Sequence, residues 1–170
     1  MSTLVKRIAM LAVAAMFTAG VTEGADTNWK ADAGAGYWGD SSNWDNGAPT
    51  GNPTSAAINQ SNADVTLDGT HASGDISISE RWRLDNGTLT VDYSGNKLVS
   101  AWSEPLSIGG NDVTLNIKSG TVKAGSTSTE DWVFARDDGG ASSMTVNMED
   151  GTLAGANFNV GGSGSTATFN

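Results

Sequence analysis

The sequence predicts an all-β solenoid, a chain wound into stacked coils of short strands, and three observations carry that expectation. A phrase recurs as Asn86-Gly87-Thr88-Leu89, Ser119-Gly120-Thr121-Val122 and Asp150-Gly151-Thr152-Leu153. Its glycines lie 33 residues (87 to 120) and 31 residues (120 to 151) apart, a period that belongs to stacked repeats rather than to a closed core. The residues before each phrase alternate between apolar and polar, as on a strand with one buried face. Finally, 22 glycines with only 3 prolines, among many Ser, Thr, Asn and Asp residues, suit frequent tight turns between short strands.

Taken in order, the elements of one coil are legible. Three positions before the glycine stand Leu84, Ile117 and Met148, five before it Trp82, Leu115 and Val146, and two after it Leu89, Val122 and Leu153. The intervening Arg83, Asn116 and Asn147 are polar, so one face is buried throughout. A third strand follows, carrying Leu106 and Ile108, then Trp132 and Phe134, then Phe158 and Val160, and it leads into Gly109-Gly110, Gly139-Gly140 or Gly161-Gly162. Stacked coils would set like residues about 4.8 Å apart in ladders. Trp82 and Trp132 fall on the apolar register and read as core. The stretches 93–105 and 125–131 differ in length and read as surface loops, the places where a specific function is best accommodated. Trp102, beside Pro105 in the first of them, is the candidate for an exposed sugar contact.

The two ends differ. Residues 1–25 read as an export signal: Lys6 and Arg7 form the positive region, Ile8 to Phe17 the apolar stretch, and small residues follow up to Ala25, with cleavage after Gly20 or near Gly24 or Ala25. The apolar run is too short to span a bilayer, so the mature chain has no membrane span and is expected outside the cell, secreted or on its surface. At the other end, Ala167 and Phe169 repeat the approach to a further Gly-Thr phrase, whose glycine would fall near position 174, but the sequence stops at Asn170. The chain is therefore expected to be the start of a longer protein, with residues 61–170 forming an incomplete stack of coils.

Charge and cysteine narrow the partners. The chain carries 9 basic and 19 acidic residues, a formal net charge of −10. Nucleic acid, itself polyanionic, is excluded as a partner on this ground. The absence of cysteine from an exported chain leaves the strand ladder, not disulfides, to hold the fold.

Residues 26–60 are rich in tryptophan: Trp29, then Trp38-Gly39-Asp40-Ser41-Ser42-Asn43-Trp44-Asp45-Asn46-Gly47-Ala48-Pro49, then Ala56-Ala57-Ile58. This block would cap the apolar layer of the first coil, with Trp38, Trp44 and Ile58 covering it. The alternative is a carbohydrate platform, with indole faces stacked on sugar rings and Asp40, Asp45 and Asn46 hydrogen bonded to them. The block and the Gly-Thr-Leu coils that follow resemble the amino-terminal part of large bacterial surface proteins. These are the autotransporter-associated β-strand repeat proteins and the repeat proteins that end in a PEP-CTERM sorting signal. The resemblance spans about residues 29–170 and implies a right-handed parallel β-helix displayed outside the cell.

Catalytic constellations are sparse. His71 is the only histidine, and no serine sits in a Gly-x-Ser-x-Gly elbow. Arg136 beside Asp137 and Asp138 could serve a lyase of the β-helix type, but reads better as a solvated turn before Gly139-Gly140. Glu149 and Asp150 are neighbours in sequence, without the separation across a cleft that glycoside hydrolysis needs. The segment from Gly161 to Ala167 begins like a calcium-binding nonapeptide, but Thr166 stands where that motif has aspartate. No catalytic residue, metal ligand or cofactor is assigned. The leading expectation is a secreted or surface-displayed non-enzymatic solenoid with a structural, adhesive or matrix role, facing extracellular polysaccharide or neighbouring cell-surface components. The alternatives are a polysaccharide-active lyase or hydrolase and a carbohydrate-binding module.

Overall fold

The computed structural model describes residues 26–50, 55–101, 106–110, 112–125, 131–135, 142–161 and 164–170. The expected export signal (1–25), Trp102 and the Arg136-Asp137-Asp138 turn lie outside the described residues. Short apolar alternation bounded by turn residues gives strands β1 (Thr27–Asn28), β2 (Ala35–Tyr37), β3 (Ser55–Ile58), β4 (Asp64–Asp68), β5 (Ile76–Ile78), β6 (Arg81–Leu84) and β7 (Thr88–Ser100). They continue as β8 (Leu106–Ile108), β9 (Val113–Ala124), β10 (Trp132–Phe134), β11 (Ser143–Met148), β12 (Thr152–Ala154), β13 (Phe158–Val160) and β14 (Thr166–Phe169). The one helical piece among the described residues is a 3-10 turn over Ser41–Asn43. No described helix is long and apolar enough to cross a membrane.

Each ladder between the described strands is parallel, and the strands stack into a β-solenoid of about five turns. Three faces wind around one core. The first holds β2, β4, the first half of β7, the first half of β9, β11 and β14. The second holds β5, the second halves of β7 and β9, and β12. The third holds β1, β3 and β6, then β8, β10 and β13, with the Gly109 N–H donating to the Leu84 carbonyl (3.1 Å) to join the two groups.

Columns run along the axis inside these faces. Gly36, Val65, Leu89, Leu115, Val146 and Phe169 form one of them, so successive coils take 29 residues (36 to 65), 24 (65 to 89), 26 (89 to 115), 31 (115 to 146) and 23 (146 to 169). Inward residues are buried and their strand neighbours are not, as period-two alternation requires: Val65, Leu67, Leu89, Val91, Leu115 and Ile117 are all fully buried. Trp82 and Trp132 are fully buried too, their rings 6.2 Å apart and nearly edge to face.

The glycine phrase that reveals the repeat has two meanings, not one. Gly120 and Gly151 occupy the same place, with Thr121 opposite Thr152 and Val122 opposite Leu153. Gly87 does not: Thr88 lies opposite Thr114 and Leu89 opposite Leu115, while the place of Gly120 is taken one coil earlier by Asn96, just before the Lys97–Thr121 pair. The expected column of Leu84, Ile117 and Met148 therefore divides. Ile117 and Met148 belong with Val91, whereas Leu84 belongs with Ile58 on the third face. Trp82 likewise pairs with Ala56, not with Leu115. The cause is local. Gly87 (φ 75°) and Gly120 (φ 81°) both turn a corner in the left-handed region, and a side chain on either would meet a carbonyl of the coil below, Ala63 O or Tyr93 O, at 2.5 or 2.4 Å. The phrase marks a corner, and a triangular coil has more than one.

The expected loop at 93–105 is corrected for its first part. β7 runs on to Ser100, past an irregularity after Val91, and Tyr93, Leu98 and Ser100 are buried. Tyr93 points inward because its hydroxyl finds the Gly74 carbonyl, and Ser100 because its hydroxyl reaches the Glu80 carbonyl (2.8 Å).

At the amino-terminal end, Trp29, Trp38 and Trp44 form an edge-to-face cluster with centroids 5.1 Å (29 to 44) and 5.0 Å (38 to 44) apart. All three are buried, and each indole N–H has a carbonyl partner: Gly34 (3.3 Å), Pro49 (3.2 Å) and Trp38 (2.8 Å), respectively. Gly36 makes room: a side chain there would meet Asn43 Nδ2 at 2.5 Å and the Trp29 ring at 3.3 Å. The Trp29 ring thus fills the coil interior at the head of the column that Val65 and Leu89 continue. The block is continuous with the ladder, since β1 pairs with β3 and β2 with β4.

Candidate functional site

The first face turns a regular polar surface outward. One outward column reads Asp64, Thr88, Thr114, Thr145 and Thr168, and the next reads Thr66, Thr90, Asn116, Asn147 and Asn170, the last following Phe169 at the end of β14. In the second column each amide donates to the coil before it: Asn116 Nδ2 to Thr90 Oγ1 (3.1 Å), Asn147 Nδ2 to Asn116 Oδ1 (2.8 Å) and Asn170 Nδ2 to Asn147 Oδ1 (2.8 Å). Such a ladder fixes the side chains in register and leaves their remaining donors and acceptors facing out. Beside it, a shallow recess of about 180 Å³ is lined by Asp112, Thr114, Ser143, Thr145, Thr166 and Thr168, with Ser143 Oγ donating to Asp112 Oδ1 (2.8 Å). From Thr88 and Thr90 onward neither column carries a charge, on a chain whose formal net charge is −10.

A second cluster sits near the amino-terminal end. The turn after β4 brings His71 Nδ1 to 2.9 Å from Asp68 Oδ1, and the Asp68 carboxylate also accepts the backbone N–H groups of Thr70 and His71 (3.0 and 2.8 Å). Partial burial works against the ionised Asp68, but these hydrogen bonds outweigh it and hold its pKa below the ordinary value. Tyr37, 42% exposed, stacks on the His71 ring at 3.5 Å. Asp40 is held low by the hydroxyl and backbone N–H of Ser42. In Asp45 partial burial is again outweighed, here by the backbone and side chain of Asn28 and by the Thr27 hydroxyl.

This geometry organises the turn after β4. The carboxylates that could act with His71 are committed to backbone and neighbouring side chains, and among the described residues no three His, Cys, Asp or Glu side chains converge as a metal site. Glu149 and Asp150 are exposed in the turn after β11, where their N–H groups bond the Ile117 and Lys118 carbonyls (3.0 and 3.1 Å).

Of the aromatics weighed as sugar contacts, Trp38 and Trp44 are buried, which leaves no indole face of either open to a ligand. Trp102 lies outside the described residues. Tyr37 is the exposed aromatic that sequence reasoning passed over, and strand alternation could have found it: Trp38 points into the core, so its neighbour points out. No family model matches the chain, nor does any curated protein or solved structure.

Proposed function

We propose that this chain is an exported, non-enzymatic β-solenoid whose two outward columns of uncharged hydroxyl and amide groups make repeated weak contacts with extracellular polysaccharide. The observation that carries the reading is the pair of outward columns, Thr88, Thr114, Thr145 and Thr168 beside Thr90, Asn116, Asn147 and Asn170. Successive rungs repeat at about 4.8 Å, and each presents groups that both donate and accept, which matches the hydroxyl-rich surface of a glycan chain. Neutral glycans fit better than acidic ones, because the rest of the surface would repel a polyanion. The export-signal pattern in residues 1–25 and the resemblance to bacterial surface repeat proteins support an extracellular setting.

The test is co-sedimentation with insoluble neutral polysaccharides. Replacing Thr114 and Thr145 together with Arg should weaken binding at least about tenfold without changing the circular dichroism spectrum, since two long charged side chains would break the flat surface. Ser77→Arg, on the second face, should leave binding intact. Equal loss in both variants, or none in the first, would remove this face from the account. Release of unsaturated uronic products from pectin or alginate, with or without calcium, would replace this reading with the enzymatic one.

A further inference from the structure

The outward amide column of the first face begins with an aromatic ring. Strand register sets Tyr37 opposite Thr66, Thr66 opposite Thr90 and Thr90 opposite Asn116, so one outward line reads Tyr37, Thr66, Thr90, Asn116 and Asn147. Tyr37 points outward because its neighbours lie on the inward register, Gly36 opposite the buried Val65 and Trp38 buried itself. The ring is also held in place. His71 covers one of its faces, with centroids 3.5 Å apart and 12° between the planes, and Asp68 Oδ1 in turn holds His71 Nδ1 at 2.9 Å. A side chain at Gly39 would collide with the His71 carbonyl, so the bare glycine lets the turn after β4 close onto the segment that carries Tyr37. With one face covered, the 42% exposure of Tyr37 belongs to the opposite face, the ring edge and the hydroxyl. That hydroxyl has no hydrogen-bond partner among the described residues, whereas the hydroxyl of the buried Tyr93 donates to the Gly74 carbonyl.

We propose that Tyr37 is the aromatic subsite of this face, the plate on which one neutral sugar ring of a glycan stacks while the next sugars lie along Thr66, Thr90 and Asn116. The proposal rests on the glycan reading of the first face and adds to it the residue that fixes where the glycan sits. A pyranose ring presents a face of C–H groups rimmed by hydroxyls, and its complement is an apolar plate with polar groups at the edge. Tyr37 supplies the plate. Its own hydroxyl and that of Thr66, one rung away at about 4.8 Å, supply the edge, and Thr90 follows at about 9.6 Å. A ring already stacked on His71 loses little freedom when a ligand covers its other face. Charge selects the class of sugar. Asp40, whose N–H donates to the Tyr37 carbonyl (3.2 Å), Asp64 in the neighbouring outward column and Asp68 beside His71 set negative charge around the plate. A uronic acid is repelled there and a neutral sugar is not.

The chain has only two tyrosines, Tyr37 and Tyr93, which gives the test a direct readout. With isotope-labelled tyrosine rings in the full chain, titration with cellohexaose and with laminarihexaose should shift the ring resonances of Tyr37 for at least one of them and leave those of Tyr93 in place. Polygalacturonate should shift neither. Tyr37→Ala should weaken co-sedimentation with amorphous cellulose or curdlan at least about tenfold with an unchanged circular dichroism spectrum. Tyr37→Phe, which keeps the plate and loses the hydroxyl, should bind more tightly than Tyr37→Ala and less tightly than wild type. Binding lost in the Thr114→Arg, Thr145→Arg double variant but kept in Tyr37→Ala would overturn the subsite and leave the face standing. The reverse result would leave the subsite and remove the face. Equal shifts of both tyrosines, Tyr37→Phe as weak as Tyr37→Ala, or no binding of the wild-type chain to either glucan would each overturn the proposal.

Discussion

The first and the last described coils bury the same kinds of side chain to opposite extents. At the amino-terminal end three tryptophans are sealed, with every indole N–H bonded. At the carboxyl-terminal end Phe158 and Phe169 stand half exposed, although Phe158 stacks on Phe134 at 5.9 Å and Phe169 meets it edge to face at 5.1 Å. The column of Ile58, Leu84, Ile108 and Phe134 is fully buried and then opens at Val160, one rung later. Burial in a solenoid is thus a property of the neighbouring coil and not of residue type, which is the meaning of nearest-neighbour stability in a repeat.

The sharpest way to break this comparison is to place the same charge at both sites. Ile117→Asp should abolish cooperative folding, since an unpaired carboxylate in the core costs several kcal/mol, about as much as a small domain has to lose. Phe169→Asp should cost less than about 1 kcal/mol, because the new carboxylate reaches water. Urea denaturation of the two variants decides it, and equal costs would mean that the end is covered. Truncations give the next largest contrast. Trp44→Ala should lose about 3–5 kcal/mol, whereas Phe158→Ala should lose less than about 1.5 kcal/mol, in line with its half-exposed ring.

Acid should also tell the ends apart. Asp40, Asp45 and Asp68 all have pKa values lowered below 3.8 and all lie in the first part of the chain, while residues 151–170 carry no ionisable side chain. A folded-state pKa below the unfolded one contributes stability that is full above the unfolded value and fades as pH falls through the folded one. Wild type should therefore lose more stability than Asp45→Asn between pH 6 and pH 3, modestly because the carboxylate is exposed. Equal losses would show that the hydrogen bonds of Asp45 to Thr27 and Asn28 do not hold the amino-terminal end. The smallest contrast is between the two core tryptophans. The Trp132 indole N–H donates to the Ala154 carbonyl (2.8 Å), but Trp82 Nε1 is buried with no hydrogen-bond partner among the described residues. Trp132→Phe should cost about 1 kcal/mol more than Trp82→Phe in urea denaturation.

The fold class was legible because alternation is a local signal: Trp82, Leu84, Leu115, Ile117 and Val146 were each assigned to the buried face correctly. Phase was not. Gly87 and Gly120 carry the same phrase and the same left-handed bend at two different corners, and only the pairing of Thr88 with Thr114 separates them. The inward turn of Tyr93 was equally hidden, since its hydroxyl partner, the Gly74 carbonyl, comes from the preceding coil. The polar face was visible as Asn116 and Asn147 between apolar neighbours, but its ladder depends on inter-coil register, which no single segment specifies.

Amide hydrogen exchange on a sample dilute enough to be monomeric tests the contrast between the ends most directly. Backbone amides of β13 and β14 should be the least protected of all strands, and those of β4 and the first half of β9, which have a paired strand on both sides, the most. The amides of Trp29 and Trp38, bonded to the Ala57 and Thr66 carbonyls (2.8 Å each), should exchange more slowly than those of Phe158 and Phe169. Protection of β14 equal to that of β9 would contradict the one-sided pairing of the last described coil.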